Sequence, residues 1–264
     1  LAITLREQGR LQRTIEICHQ QMQLANECGL SQTAVAGWLL AIWGEVLAEL
    51  NDLDEAIHMA KNGVEMAERG GDIAMLGWSY LCLMRVLFAK GELAGIDEII
   101  QKITNIARES DVPPWIAFLM ASWQTRIWLK QDKLEAASQW VEERGIDADE
   151  DPTYLHDVDY YMLIEYVVLA RFLIAQERLD SAIRLLQRLL EAAETGGLTS
   201  RAIEILILQA LVFQAEGEAT QAMTMLEKAI NLAEPGGFIR IFVDEGHPMA
   251  RLLHTALSRG IMPD

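Results

Sequence analysis

The sequence is poor in cysteine, proline and basic residues, and each shortage excludes a class of protein. Its 264 residues include 3 cysteines, Cys18, Cys28 and Cys82, which have neither zinc-site spacing nor the number that a disulfide framework needs. With 6 prolines and 18 glycines, the chain has few of the tight turns of an all-β protein. The 22 basic residues face 39 acidic ones, a net charge of −17. We therefore expect a reduced, cytoplasmic setting and no direct contact with nucleic acid, which needs a basic patch.

Long apolar runs are also missing. The longest run, residues 34–44, has 11 residues and is too short to span a bilayer. Polar and acidic residues begin at position 6, so the N-terminus does not resemble a signal peptide, and we expect no membrane association. The chain starts at Leu1 without a Met, which leads us to expect an origin in a longer protein. Apolar residues nevertheless make up 51% of the chain, enough to bury a large core.

Motifs for catalysis and metal binding are missing as well. No lysine follows a glycine, so the Gly-Lys pair of a phosphate-binding loop is absent, and no Gly-x-Ser-x-Gly or His-Glu-x-x-His motif occurs. His156 lies near Asp157 and Asp159, but a solvated loop edge explains this group better than a cation site. The carboxylates at 142–143 and 149–151 fit a solvated acidic run better than acid–base catalysis, which needs a dry pocket. We expect no enzyme activity, metal or cofactor in this chain.

What the sequence does contain is an internal repeat. A turn followed by Leu, with a small or apolar residue three positions on, recurs at steps of 42, 40, 41, 45 and 40 residues. The anchors of the pattern are Leu11, Leu53, Leu93, Leu134, Leu179 and Ala219. An alanine lies 14 residues after the anchor in five of the six repeats, at Ala25, Ala67, Ala107, Ala193 and Ala233. Because only about one residue in eight is alanine, this independent column argues against a chance match.

Each repeat is predicted to form two helices. Apolar residues recur at three- and four-residue steps on both sides of the anchor, as at Leu163, Val167 and Ala170. Glycine or polar residues follow the second helices at 29, 70–71, 110–111, 145, 196–197 and 236–237, where left-handed caps are expected. A single hairpin cannot bury its own apolar stripe, so neighbouring hairpins must stack. The predicted fold is all-α, a right-handed superhelix (α-solenoid) of about six helix hairpins.

We predict a single domain over residues 1–264. Its repeats are expected at roughly 1–29, 30–70, 71–110, 111–152, 153–196 and 197–236, with a C-terminal cap at 237–264. In the fourth repeat the second helix ends at Gly145, and an acidic loop, 147–152, follows. Residues 238–243 of the cap are expected to form an extended segment or a short helix over the last hairpin. Residues 248–258 are expected to form a helix with inward-facing Leu252, Leu253, Ala256 and Leu257.

The turn, Leu and Ala columns resemble those of tetratricopeptide repeats (TPR), although the step of about 40 residues is longer than their 34. The longer unit is similar to the superhelical sensor domain of the large LuxR-type, ATP-dependent transcription regulators, the MalT-like family. Three stretches carry this resemblance: residues 140–145 with 152–155, residues 169–176 with 178–179, and residues 233–246 with 248–249 and 252–253. The likeness is good over residues 130–260 and rests on the repeat pattern alone in the first half.

The resemblance implies an intact protein with an N-terminal NTPase that binds ATP, this sensor, and a C-terminal helix-turn-helix that binds DNA, neither flank being part of the sequence. It implies that the repeat domain binds a small-molecule inducer or a regulatory protein and shifts the intact protein towards self-association. The cap would shield the end of the solenoid, transmit sensor occupancy to the DNA-binding module, or both. The alternative is a generic TPR-like scaffold that binds a peptide or helix in its concave groove.

By the same resemblance, one stripe of the first helices lines the concave groove. Its members lie 15 or 8 residues before the anchor. These two positions are seven residues apart, which is close to two helical turns, so they lie on the same face of the helix. The candidate binding residues are Trp38, Glu45, Trp78, Arg85, Arg126 and Arg171. Guanidinium groups suit carboxylates and phosphates, and tryptophan faces suit sugars and apolar rings. The other interpretation is that the arginines pair with carboxylates of adjacent helices and the tryptophans fill the core. Trp128 is expected to pack in the core, because the equivalent position of the other repeats is apolar.

Overall fold

The computed structural model describes residues 1–109, 111–148 and 160–259, and over these residues the chain forms fourteen α-helices and no strand. The first and second helices of six successive hairpins are α1 (Ala2–Glu7) and α2 (Leu11–Glu27), α3 (Ala34–Glu49) and α4 (Leu53–Gly70), α5 (Ile73–Lys90) and α6 (Leu93–Glu109), α7 (Pro114–Lys130) and α8 (Leu134–Arg144), α9 (Tyr160–Ala175) and α10 (Leu179–Thr195), and α11 (Thr199–Ala215) and α12 (Ala219–Ala233). A 3₁₀ turn (Glu234–Gly236), α13 (Arg240–Val243) and α14 (His247–Ser258) follow. The predicted all-α class of helix hairpins is confirmed.

The second helix of every hairpin begins at a repeat anchor. Two residues before each anchor the backbone is left-handed, with positive φ at Gly9, Asn51, Gly91, Asp132, Glu177 and Gly217. At each of these turns an N–H group donates to the carbonyl five residues earlier, as from Asp52 to Leu47 at 2.9 Å. This bond satisfies a carbonyl at the end of the first helix, in the pattern of a Schellman cap. The turn residues of the repeat pattern therefore mark where the chain reverses direction between the two helices of each hairpin.

The chain divides into two compact units, and the boundary falls inside α7. Unit 1 consists of residues 1–6, 10–120 and 236–240. Unit 2 consists, among the described residues, of 7–9, 121–148, 160–235 and 241–259. The predicted repeat domain thus comprises two groups of helices, each with its own internal packing.

In unit 1, α3, α4 and α5 pack against one another, and glycine sets the distance between α3 and α4. A Cβ atom at Gly63 would lie 2.6 Å from the carbonyl oxygen of Gly37 and 2.7 Å from the nitrogen of Ala41. These contacts are with backbone, which cannot move aside, so only residues without a Cβ allow the two helices to lie this close.

Helix α5 is long and apolar enough to cross a membrane by length and composition. Most of its residues are buried against the rest of the protein. A core helix meets the same criteria, so α5 is weak evidence for a membrane span.

Residues 236–240 belong to unit 1 and hydrogen-bond to the ends of its helices. The Ile239 N–H donates to the Glu49 carbonyl at the end of α3, at 3.1 Å. The Arg240 guanidinium donates to the Ala89 carbonyl near the end of α5, at 2.5 Å, and to the Asn51 side chain at 3.4 Å. We expected this segment over the last hairpin, which is wrong for residues 239 and 240, since they cap carbonyls of unit 1 instead. The short-helix alternative for the segment is confirmed by α13.

In unit 2, α9 to α12 pack in sequence, and α14 packs on α11 and α12 of the last hairpin. The predicted final helix is confirmed, with Leu252 and Ala256 buried and Leu253 partly buried. The expectation for Leu257 was wrong, because its side chain is 47% exposed. The buried stripe runs through Met249, Leu252 and Ala256, and residue 257 lies about 100° further round the helix.

The alanine column is buried in most of the described repeats. Ala67, Ala193 and Ala233 are fully buried, and Ala25 is partly exposed. The side chain of Ala107, the acidic loop beyond Ala148, and the group around His156 lie outside the described residues.

Candidate functional site

Two of the predicted stripe residues of unit 1, Glu45 and Arg85, belong to one largely buried group of ion pairs. Glu45 on α3 accepts hydrogen bonds from the guanidinium groups of Arg6 on α1 and Arg85 on α5. The thiol of Cys82 donates to its second oxygen at 3.2 Å. Burial alone would raise the pKa of Glu45, but the two guanidinium groups outweigh burial and hold the pKa below its usual value. Glu45 and Arg85 therefore form internal ion pairs that join the first helices of three repeats.

The two predicted tryptophans differ in exposure. Trp78 is 4% exposed, and its ring centroid lies 5.7 Å from that of Trp115. Its Nε1 atom has no hydrogen-bond partner among the described residues. Trp38 is only partly buried. Trp78 thus belongs to the core of unit 1, as the second of our two interpretations expected, whereas Trp38 keeps part of its surface in solvent.

In unit 2 the two stripe arginines share two carboxylates. Arg126 on α7 and Arg171 on α9 donate to the same oxygen of Glu204 on α11, at 3.0 and 2.9 Å. Arg171 also donates to both oxygens of Glu245, at 2.7 and 3.0 Å, and Arg126 Nη2 lies 3.6 Å from this carboxylate. The four side chains are between 5% and 14% exposed. Glu245 lies in the turn between α13 and α14, so the pair connects two first helices to the C-terminal segment.

The second oxygen of Glu204 continues this network. Arg201, one helical turn earlier on α11, donates to it at 2.8 Å. Arg201 also donates to the carboxylate of Glu7 at 3.1 and 3.3 Å, and the Tyr160 hydroxyl donates to Glu7 at 3.0 Å. We call these seven side chains the inner ionic network: Glu7, Arg126, Tyr160, Arg171, Arg201, Glu204 and Glu245.

The pKa values show which charges of this network are well compensated. Burial would raise the pKa of Glu204, but Arg126, Arg171 and Arg201 together hold it far below its usual value. The pKa of Glu245 is lowered in the same way, since Arg171 and then Arg126 outweigh its burial. Both carboxylates are therefore ionised at neutral pH.

Arg126 is the exception among the arginines. Burial and, after it, the neighbouring Arg171 cation lower the pKa of Arg126, and its carboxylate partners do not make up the difference. The carboxylates do outweigh burial at Arg171, whose pKa is raised. Arg126 is thus the arginine of the network whose charge its surroundings compensate least.

A small pocket opens beside Arg126. It holds about 270 Å³ of empty space, including open solvent at its mouth. The residues around it are Ser122, Trp123, Arg126, Ile164, Val167, Val168, Arg201 and Glu204. The Arg126 guanidinium carbon lies 4.8 Å from the centroid of the Trp123 ring, a cation–π distance. One aromatic face, an apolar floor and charged donors and acceptors therefore meet in one place.

The sequence led us to two of the pocket and network arginines but not to their partners. Glu204 lies 15 residues before its repeat anchor, as the two predicted tryptophans do, and this position places it on the same stripe of the first helices. Arg201 precedes Glu204 by three residues, a helix spacing that predicts an ion pair. Glu245 carries no such signal, because it lies in a turn 74 residues from its partner Arg171.

Metal binding finds no support in the part of the chain that the structure covers. Among residues 1–109, 111–148 and 160–259, no group of three or more His, Cys, Asp or Glu side chains is arranged to hold an ion. The His156 group, which we judged a solvated loop edge, lies outside this part.

Stacked helix hairpins with a step of about 40 residues and polar side chains along their first helices define a TPR-like repeat protein. A family model described as the MalT-like TPR region matches residues 1–259, and the chain belongs to this family. The curated relatives include two proteins named HTH-type transcriptional regulator MalT. The one from Vibrio cholerae is 26% identical over 262 residues, and the one from Yersinia pestis (strain Pestoides F) is 28% identical over 262 residues. Each alignment covers 97% of this chain and 28% of the relative, so the chain spans about a quarter of these proteins.

Proposed function

We propose that this chain is the signal-sensing region of a MalT-like transcriptional regulator and that it binds a small effector in the pocket of unit 2. The observation that carries this proposal is the convergence of Trp123, Arg126, Arg201 and Glu204 on one pocket. A cavity with an apolar lining and a few convergent polar groups is the usual form of a small-molecule site. Membership of the MalT-like TPR family supports this reading over a generic peptide-binding scaffold.

The chemistry of the pocket defines the class of effector. The guanidinium groups of Arg126 and Arg201 carry hydrogen-bond donors, and the Glu204 carboxylate carries acceptors. The Trp123 ring offers a flat face. A small polar molecule with hydroxyl or carboxylate groups on one side and an apolar face on the other matches this set.

The position of the pocket explains how binding would be sensed. Its side chains come from α7, α9 and α11, the first helices of three successive repeats. A ligand that contacts all three stabilises one mutual arrangement of these helices over others. A ligand shifts such an equilibrium only by the difference in its affinity for the two arrangements. The chain itself takes no part in bond-making in this proposal and acts as a binding module.

In the intact protein, the other activities of a regulator would fall to other regions. The chain spans about a quarter of the curated relatives, whose names describe them as transcriptional regulators of the HTH type. We therefore assign ATP binding and DNA contact to regions outside residues 1–264, and we expect self-association in the cytoplasm to be a property of the whole protein.

A thermal-shift screen of small polar metabolites tests the proposal. A specific stabiliser is expected, and Trp123→Leu should weaken its binding about tenfold or more, because the stacking face is lost. Trp128→Leu, on the same helix but outside the pocket, is the matched control and should bind normally. Effector binding that survives Trp123→Leu unchanged would remove the pocket from the site.

A further inference from the structure

The turn between α13 and α14 places the Glu245 carboxylate against two largely buried guanidinium groups. Glu245 receives two hydrogen bonds from the Arg171 fork, at 2.7 and 3.0 Å, and Arg126 lies 3.6 Å away. Parallel bonds from one guanidinium to two oxygens are the geometry by which arginine recognises carboxylate and phosphate groups alike. Arg171 therefore holds Glu245 in the geometry that an arginine would use for a free anion.

The two carboxylates that this pair holds differ in how they are anchored. Glu204 lies within α11, a helix of 17 residues, so its backbone position is fixed by the helix. Glu245 lies in a short turn that follows a four-residue helix. The contacts of this turn include backbone bonds from Glu245 and Gly246 and a bond from Lys130, which donates to the Asp244 carbonyl at 2.8 Å. Glu245 is thus the carboxylate that can be exchanged.

We propose that the Arg126–Arg171 pair is an anion-binding site that the chain's own Glu245 occupies, and that the carboxylate or phosphate of an acidic ligand takes this place and releases the turn before α14. This inference rests on the proposed function, since it names the charged group of the effector and the segment that responds to it. Arg126 lines the pocket beside Trp123 as well, so the rest of such a ligand can lie against that ring.

The charge state of the site agrees with this exchange. Arg126 has a pKa lowered by burial and by Arg171, so a more closely placed anion stabilises its charged form. Glu245 reaches Arg126 only at 3.6 Å, beyond hydrogen-bond distance. A free carboxylate or phosphate, which no backbone restrains, can bond to both guanidinium groups at once.

Chemical rescue tests the site without any knowledge of the effector. In Glu245→Ala the pair has lost one of its two carboxylate partners and keeps Glu204, so acetate or inorganic phosphate should raise the melting temperature saturably, by about 2–4 °C over sodium chloride of equal ionic strength. Glu234→Ala, an exposed glutamate of the same C-terminal segment, is the control and should respond as the wild type does. Equal responses of all three proteins to the anions would overturn the proposal.

Hydrogen exchange in the wild type provides the second measurement, which does not depend on how well the variant folds. Acetate or phosphate should compete with Glu245 and cause a loss of protection in α14, whereas chloride should not. Protection in α14 that is independent of these anions contradicts release of the turn. If screened effectors require Trp123 but Glu245→Ala shows no rescue, the proposed function stands and this inference fails. If rescue occurs but no effector requires Trp123, the anion site stands and the proposed function fails.

Discussion

Glu204 carries the charge on which the inner ionic network depends, and Glu204→Gln removes that charge while keeping the shape of the side chain. Its carboxylate accepts hydrogen bonds from three arginines at 2.8 to 3.0 Å and is 5% exposed. Removing one partner of a buried ion pair costs about 3–5 kcal/mol, because the remaining charge stays buried without compensation. The arginines retain Glu245 and Glu7 as other partners, so we expect this range for the variant rather than three times as much.

Hydrogen exchange of the α9 and α11 amides measures this loss where it occurs. A cost of about 3–5 kcal/mol corresponds to protection factors lower by roughly two to nearly four orders of magnitude. Glu16→Gln is the control, since Glu16 is 57% exposed and pairs with Arg13 on the surface of α2. That change should cost at most about 0.5 kcal/mol. If Glu204→Gln retains protection within about threefold of the wild type, the network does not stabilise unit 2 as argued.

Acidification gives the same prediction a second check. The pKa of Glu204 is lowered in the folded protein, so its contribution to stability is fully present above the unfolded value of about 4.3. The contribution is lost as the pH falls below that value towards the folded pKa. The stability difference between the wild type and Glu204→Gln should therefore shrink on acidification. A difference that stays constant or grows as the pH is lowered contradicts the assignment.

Unit 1, the hairpin turns and the thiols each give a further prediction. Gly63→Ala should lower the free energy of unfolding, measured by urea titration, by at least about 1–3 kcal/mol, because the new Cβ atom would meet the backbone of α3. Gly95→Ala is the control and should be nearly neutral, because its Cβ atom would meet only a flexible leucine side chain. Glu177→Gly should raise the free energy of unfolding by about 0.5–1 kcal/mol, because Glu177 has a φ of 59° that glycine adopts without strain. Gly217→Ala at the equivalent turn should lower the free energy of unfolding. If both variants change the free energy of unfolding in the same direction, the argument from the left-handed turns is refuted. Only Cys28 should react rapidly with a maleimide at neutral pH, because the other two thiols are buried and burial raises their pKa values. Rapid labelling of a second thiol would contradict the burial of Cys18 and Cys82.

The helix hairpins could be predicted because local rules determine where they begin and end. Each second helix starts at the anchor that the repeat pattern marks, such as Leu53 or Leu179, and each turn has its left-handed residue two positions earlier. Glycine, asparagine and aspartate suit that position, and even Glu177 adopts it where the surrounding turn requires it. The repeat pattern of about 40 residues is therefore sufficient to predict the helix hairpins and the turns within them.

The side-chain partners could not be predicted in the same way, because they depend on which helices meet. The predicted stripe of first helices includes Arg126 and Arg171, which contact the same carboxylate, but that carboxylate, Glu204, lies 78 and 33 residues away from them in sequence. The arginines pair internally, as one of our two interpretations held. Whether they also bind a ligand stays a prediction. Glu245 depends on a turn whose position follows from the docking of α14 on the last hairpin, which no local pattern encodes.

A crystal structure of the chain with an effector found by screening tests the central claim most directly. The account predicts that the ligand lies against the Trp123 ring and hydrogen-bonds to Arg126 or Arg201, with α7, α9 and α11 all in contact. Electron density for the ligand elsewhere on the chain, with the pocket empty and every hydrogen bond of Glu204 in place, would contradict it.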